Sequence, residues 1–309
     1  MSERTETRTA AVVVAWHQPE LTIQALQSLA AMDVPPTTLI CVAQEFTPAE
    51  IQYLREKAPW RTQIVDIDHN RGFSGGANVG IAAALQAGAD WILLLNNDAT
   101  VIPSCLGRCL DETRREAAVA VVGPGVYLAD TPGRLWYAGG KQSHHFAFTR
   151  HRGLRRASNK LPPSSDTDYV PGCCALISAE AWRTVGPFRE DYFAYYEDAE
   201  WGSRARDAGW RCRYLGELLC AHDVGVSSQQ RGSLGLSDNT AYYLARNPLR
   251  FALETPSVLL RASRVAGLMT IWNGYNAWRV VRSGKASVGG SYLRGLRDAV
   301  RGRMGPKPA

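Results

Sequence analysis

Asp98 ends a short apolar run, Trp91 to Leu95, after two amides, Asn96 and Asn97. A carboxylate at such a strand end can bind a hard divalent cation through oxygen. That cation can bridge two phosphates and stabilise a departing diphosphate. The competing reading is a plain turn, which Asn and Asp favour. Glu197 and Asp198 open a helical pattern that runs to Asp207 and stops at Gly209. A helix N-terminus favours negative charge. The two carboxylates point to different sides, so only one need face a substrate, where it could take the proton of an attacking hydroxyl. Gly72, Gly75 and Gly76 let the backbone approach a ligand closely, and the helix they open offers free N–H groups to an anion or a ribose. Asn70, Arg71 and Asn78 are the polar candidates beside them. His222 follows an apolar strand, where a lone histidine is most often a satisfied polar residue.

The elements that must position these residues alternate in period. Val12–Ala15, Leu39–Ala43, Gln63–Ile67 and Trp91–Leu95 are short apolar runs of the kind that form buried parallel strands. Helices fall between them. One opens at Pro19-Glu20 with Leu21, Ala25, Leu26 and Leu29 on one face. A second opens at the capping box Thr47-Pro48-Ala49-Glu50. A third follows the glycine turn. Strand-helix alternation predicts a doubly wound α/β sheet with ligands at the carboxyl ends of its strands, where the glycine turn and Asn96-Asn97-Asp98 both fall. Residues 118–168 are less regular, and Ser158 to Asp168 reads as a loop. Tyr169–Ile177 reads as a strand, and two short strands around Cys212 and Leu219 lead into His222. Gly225 to Asn239 reads as a polar linker. Three helical stretches follow it, one opened by Thr255-Pro256.

Four segments occur in a fixed order: Asn70-Arg71-Gly72-Phe73-Ser74-Gly75-Gly76-Ala77-Asn78, Leu95-Asn96-Asn97-Asp98, Tyr196-Glu197-Asp198-Ala199-Glu200-Trp201, and His222. Together they resemble the family 2 glycosyltransferases of GT-A fold, particularly the bacterial rhamnosyltransferase-like branch. The resemblance runs from residue 11 to about residue 227. It implies a catalytic domain over 1–227 and a basic helical extension over 228–309. It implies metal-dependent, inverting transfer of a sugar from a dTDP- or UDP-sugar to an acceptor hydroxyl on a bacterial glycan or glycolipid, with rhamnose the leading sugar. Asn96-Asn97-Asp98 would stand for the family's Asp-x-Asp motif. Asp98 and His222 would then hold Mg²⁺ or Mn²⁺, and Asp198 would be the general base. The glycine segment, with Asn70, Arg71 and Asn78, would lie beside the nucleotide. Glu200 replaces the commoner aspartate of the pattern. Another departure concerns the base: Ala43 occupies the position of an aspartate that accepts from the pyrimidine N3–H. Gln44 or Glu45 could accept instead. Trp16 either flanks the base or belongs to the core.

Composition bounds these readings. The chain has 309 residues, 45% of them hydrophobic, which suffices for one catalytic domain and a smaller extension. The seven cysteines are odd in number and scattered, so they read as small buried hydrophobes. The N-terminus has no apolar signal segment, and no apolar run reaches the roughly 20 residues of a membrane span. The expectation is a cytosolic chain. Its net charge of +6 is uneven: from Arg246 onward 12 Lys and Arg face Glu254 and Asp298, giving +10, so the remainder carries −4. Arginine pairs at helical spacing, interleaved with Trp272 and Trp278, suit an anionic membrane surface at the inner face of the plasma membrane. A solvated outer face packed on the catalytic domain is the other reading. Nucleic acid would attract the same charge, but no nucleic-acid module is visible. A sugar nucleotidyltransferase would need a basic, glycine-rich loop after the first strand, which Trp16-His17-Gln18-Pro19 is not. A degenerate, non-catalytic binding protein draws its support from Ala43.

Overall fold

The computed structural model describes residues 7–131, 133–223 and 236–308. The elements run β1 (Thr9–Trp16), α1 (Pro19–Ala30), β2 (Thr38–Gln44), α2 (Pro48–Lys57), β3 (Thr62–Ile67), α3 (Gly72–Gln86), β4 (Trp91–Asn96), β5 (Ala99–Val101), α4 (Cys105–Arg115) and β6 (Val119–Leu128). They continue with β7 (Leu135–Tyr137), β8 (Gly140–Gln142), β9 (Thr149–His151), β10 (Ser165–Thr167), β11 (Cys174–Ser178), α5 (Ala179–Val185), α6 (Glu197–Asp207) and β12 (Arg211–His222). The extension adds α7 (Asp238–Leu253), α8 (Val258–Gly267), α9 (Asn273–Ser283) and α10 (Ala286–Val300), with a π-turn at Leu268–Trp272 joining α8 to α9.

The sheet order is β10-β12-β6-β11-β4-β1-β2-β3, with β5 paired to β12 and β7 to β6. β1 to β4 are mutually parallel, and β11 runs against both β4 and β6. Alternation along β1 shows how the layers form. Ala11, Val13 and Ala15 face α1, α2 and α4, whereas Ala10, Val12 and Val14 face α3, α5 and α6. A sheet covered on both faces explains why its strands read as unbroken apolar runs. Strand order reverses at β1, between β2 and β4, and a crevice opens there at the carboxyl ends.

Several boundaries differ from the sequence reading. Cys212 and Leu219 lie on one strand, β12, because register shifts near Leu215 and Leu218 let it follow β6 throughout. The 158–168 loop contains a 3₁₀ turn and β10, which pairs with β12. β11 starts at Cys174, not Tyr169. The extension has four helices rather than three. The helix expected at Thr255-Pro256 starts at Val258, capped by the Ser257 hydroxyl. Residues 224–235 of the polar linker, and the 227/228 boundary, lie outside the described residues. Asp238 and Asn239 already belong to α7.

The extension packs on the sheet-bearing part. Leu249, Ala252, Leu268 and Ala299 enclose Ala147 and Phe148. Phe251 and Met304 cover a cluster of Tyr169, Tyr192, Tyr196 and Ala199. All seven cysteines are buried and free. Among the described residues no helix is long and apolar enough to cross a membrane.

Candidate functional site

A cleft of about 1650 Å³ opens at the ends of β1, β2 and β4 and is closed on its far side by the extension. Asp98 and His222, 124 residues apart, meet in it. Their meeting follows from the sheet: β5 pairs with the end of β12, Ala99 opposite His222, and the Asp223 N–H donates to the Asp98 carbonyl. His222 Nε2 then lies 3.1 Å from Asp98 Oδ1, both side chains buried. The Trp136 ring stands edge-on to both His222 and His151, which fixes the imidazole plane. Burial pulls His151 down to about 4, so it stays neutral beside His222.

This pair fits a divalent cation. His222 Nε2 and Asp98 Oδ1 supply one nitrogen and one oxygen donor side by side. The 3.1 Å separation also matches the edge of an octahedral shell, about 3 Å for bonds of about 2.1 Å. Two protein ligands leave most of the shell to ligand oxygens. Among the described residues no three His, Cys, Asp or Glu side chains gather into a larger metal cluster.

Glu197 and Asp198 begin α6 after a strained approach. Phe193, Tyr195 and Tyr196 have φ of 67°, 66° and 79°, a left-handed conformation that bulky residues adopt only under constraint. The constraint comes from α7. Asn247 Nδ2 reaches the carbonyls of Tyr192, Ala194 and Tyr195 at 3.2, 2.8 and 2.6 Å. Arg246, fully buried, donates to the carbonyls of Tyr192, Asp191 and Gly305. Tyr196 adds a hydroxyl bond to the Ala147 carbonyl. Arg246, though counted in the +10 of the tail, is therefore not part of a solvated basic face.

Both carboxylates line the cleft. Burial pushes Asp198 up to about 6, although N–H groups of Ala199, Gly172 and its own residue pull the other way. Burial and the Asp198 charge push Glu197 well above the carboxylate range, and its Oε2 has no partner among the described residues. The environment raises both, Glu197 with the Asp198 charge added to its burial and Asp198 with backbone N–H groups acting against its own. Asp98, His222, Glu197 and Asp198 all line this one cleft. Glu200 is not part of it, since it pairs with Arg204 at 2.8 Å.

The remaining sequence candidates divide. Trp16, Gln44, Asn70, Gly72, Asn96 and Asn97 line the cleft. Gln44 grips the start of α3, accepting from the Arg71 N–H and donating to the Gly72 carbonyl. Asn70 accepts from the Gly72 N–H, and Asn97 donates to the His17 carbonyl and the Thr22 hydroxyl. Asn96 Oδ1 is buried without a partner among the described residues. Glu45 is exposed outside the cleft lining and accepts from the Trp16 indole N–H at 2.9 Å. Arg71 and Asn78 turn away: Arg71 pairs with Glu190 at 2.8 Å, and Asn78 binds the Phe188 backbone and Glu190. Gly75 and Gly76 lie inside α3 rather than in a turn, and they admit protein rather than ligand. A Cβ at Gly76 would come within 2.6 Å of Gln44 and 2.8 Å of Val14, and one at Gly75 within 2.6 Å of Arg71. Gly72, with φ +71°, leaves room for the Phe193 carbonyl.

The sequence reading missed Arg246, Asn247, Trp136 and His151. For the first two a signal existed: Arg246 sits in α7 among Tyr242, Tyr243, Ala245 and Leu249, with no acidic residue one turn away. Trp136 and His151 lie on short strands in the irregular middle, where no periodicity marks them.

The chain is 30% identical over 178 residues to the galactofuranosyltransferase GlfT1 of Mycolicibacterium smegmatis, covering 56% of this chain and 55% of that one. It is 25% identical over 187 residues to an N-acetylglucosaminyl-diphospho-decaprenol L-rhamnosyltransferase of Mycobacterium tuberculosis, covering 53% and 60%. These alignments thus span little more than half the length of either relative. Among solved structures, S. aureus TarS superposes with a TM-score of 0.55 at 13% identity, covering 96% of this chain and 49% of that one. GalNAc-T7 with UDP, GalNAc and Mn²⁺ gives 0.57 at 11%, covering 87% and 58%. These likenesses support the GT-A fold. The model of the Glycosyltransferase like family 2 matches residues 7–239, well over half of the chain, and the protein belongs to that family.

Proposed function

We propose that the protein is a metal-dependent, inverting glycosyltransferase. It would move a sugar from a dTDP- or UDP-sugar to a hydroxyl of a lipid-linked or polysaccharide acceptor in a bacterial glycan, with the deoxysugar rhamnose the leading candidate. The observation that carries this is the single cleft holding the buried Asp98–His222 pair together with Asp198, a carboxyl pushed up to about 6. Asp98 and His222 would hold Mg²⁺ or Mn²⁺, whose charge offsets that building on the leaving diphosphate. A relative named as a rhamnosyltransferase, and a structural neighbour solved with UDP and Mn²⁺, support the donor class.

The chemistry assigned to this chain is proton transfer and orientation. As the acceptor oxygen bonds to the anomeric carbon, Asp198 takes its proton. The bond to the diphosphate breaks on the opposite face, and its electron pair leaves with the nucleoside diphosphate. Attack from the far side inverts the centre. Glu197, its carboxyl raised by burial and by the Asp198 charge, lies beside the base. Gln44 and Trp16 stand at the β1–β2 end, where a nucleobase would lie. Residues 1–227 form the catalytic part on this reading, and residues 228–309 extend it. Exposed Leu259, Trp278 and Val281 beside Arg261 and Arg282 suit contact with an anionic membrane.

Asp198→Asn tests the assignment because it keeps shape and removes basicity. Transfer should fall on the order of 10²–10⁴-fold with donor binding retained. Transfer near the unmutated rate removes Asp198 from the role.

A further inference from the structure

The start of α3 grips one distant segment, residues 188–193, at several points. Arg71 pairs with Glu190 at 2.8 Å. Asn78 holds Phe188 with both ends of its amide: Nδ2 donates to the Phe188 carbonyl at 2.9 Å, and Oδ1 accepts from the Phe188 N–H at 3.0 Å. The same Nδ2 reaches Glu190 Oε1 at 3.1 Å. The Ser74 N–H donates to the Phe193 carbonyl at 3.2 Å. That carbonyl occupies the space a side chain on Gly72 would take, since a Cβ there would lie 2.2 Å from it. A Cβ on Gly75 would meet Arg71 Cβ at 2.6 Å and Glu190 Oε2 at 3.4 Å, so this glycine clears room for the ion pair. Neither Arg71 nor Asn78 lines the cleft.

The gripped segment leads directly into Glu197 and Asp198. α3 takes Phe188, Glu190 and Phe193, while α7 takes Asp191, Tyr192, Ala194 and Tyr195 through Arg246 and Asn247. The approach to α6 is thus held from two sides. At its other end the start of α3 belongs to the cleft: Gln44 bonds the Arg71 N–H and the Gly72 carbonyl, and Asn70 and Gly72 line the cavity. Building on the transferase reading, we infer that Arg71, Gly72 and Asn78 are positioning residues, a clamp that sets Asp198 against the donor at the strand ends without touching the nucleotide. The Arg71–Glu190 pair is partly exposed, 35% and 42%, so its charge adds little by itself. The Asn78 amide and the Gly72 socket carry most of the grip.

Three measurements on the full chain with Mn²⁺ test this: calorimetric affinity for dTDP, release of dTDP from dTDP-rhamnose, and amide hydrogen exchange across residues 188–196. Asn78→Ala should slow release about ten- to a hundredfold, the cost of a base displaced by about 1 Å. Arg71→Glu should slow it less, and Arg71→Glu with Glu190→Arg should recover most of that loss. In both single variants exchange across 188–196 should quicken, while dTDP affinity stays within about twofold of the parent. A tenfold or greater loss of dTDP affinity in either single variant would overturn the inference and make these side chains nucleotide contacts. Unchanged exchange in Asn78→Ala, or a charge-swapped chain no better than Arg71→Glu, would overturn it too. If the parent releases no dTDP, the donor reading fails, and the exchange measurements alone decide the clamp.

Discussion

Asp198 and Glu197 are neighbours in sequence and sit in different electrostatic surroundings. Both are raised by burial, but Asp198 also receives backbone N–H groups that favour its anion. A base must be deprotonated to act, so the rate should rise with pH through about 6 and level off above it. The pH–rate profile checks this. A profile flat between pH 5 and 7 would mean that no carboxyl with this value limits the reaction. The stability effect has the opposite sign: a carboxyl raised above its unfolded value favours the fold while protonated, and that contribution fades as pH climbs through about 6. That Asp98 and Asp198 would face a cleft was legible from their positions at a strand end and a helix start. Arg71 and Asn78 were misplaced because a polar side chain beside a glycine-rich segment looks the same whether it meets a ligand or Glu190. Only the distant partner distinguishes them, and that partner is more than 100 residues away.

At the level of elements, α7 braces the approach to α6. It holds three left-handed aromatic residues in place ahead of the acidic pair through Asn247 and Arg246. Asn247→Ala removes the donor to the Ala194 and Tyr195 carbonyls, together a loss of roughly 1–3 kcal/mol. Denaturation should therefore show a loss of about that size. Turnover should fall while the affinity for nucleotide stays close to that of the parent, because Gln44 and Asn70 lie elsewhere in the cleft. A variant with full turnover would show that the loop keeps its shape without α7. The parallel core strands and the Thr47 capping box were readable because local patterning alone decides them. β12 was read as two strands because its register shifts interrupt the apolar pattern while β6 keeps it straight. The role of α7 depends on a contact over 50 residues in sequence, which no periodicity encodes.

The whole molecule joins a sheet, whose strand ends open into the cleft, to a helical extension that walls the cleft and keeps apolar residues outside. Val281, 79% exposed, sits next to Arg282, whose guanidinium lies over Trp278. If this face rests on lipid, the protein should sediment with anionic vesicles and much less with neutral ones, and salt should release it in part. Val281→Glu should weaken sedimentation about fivefold, since a charge near such a surface changes the energy by roughly 1 kcal/mol. Equal binding to neutral and anionic vesicles would assign the face to packing or solvent. The central claim, however, is that Asp98 and His222, brought together by β5 and β12, hold a cation for the diphosphate of a nucleotide donor. Calorimetric titration of UDP and dTDP with Mn²⁺ or with EDTA tests it most directly. The account predicts that at least one nucleotide binds about tenfold or more tightly with Mn²⁺, and that Asp98→Ala and His222→Ala each abolish the difference, as loss of a ligand from a two-ligand site should. Equal affinity with Mn²⁺ and EDTA, or a metal effect that survives both substitutions, would contradict it.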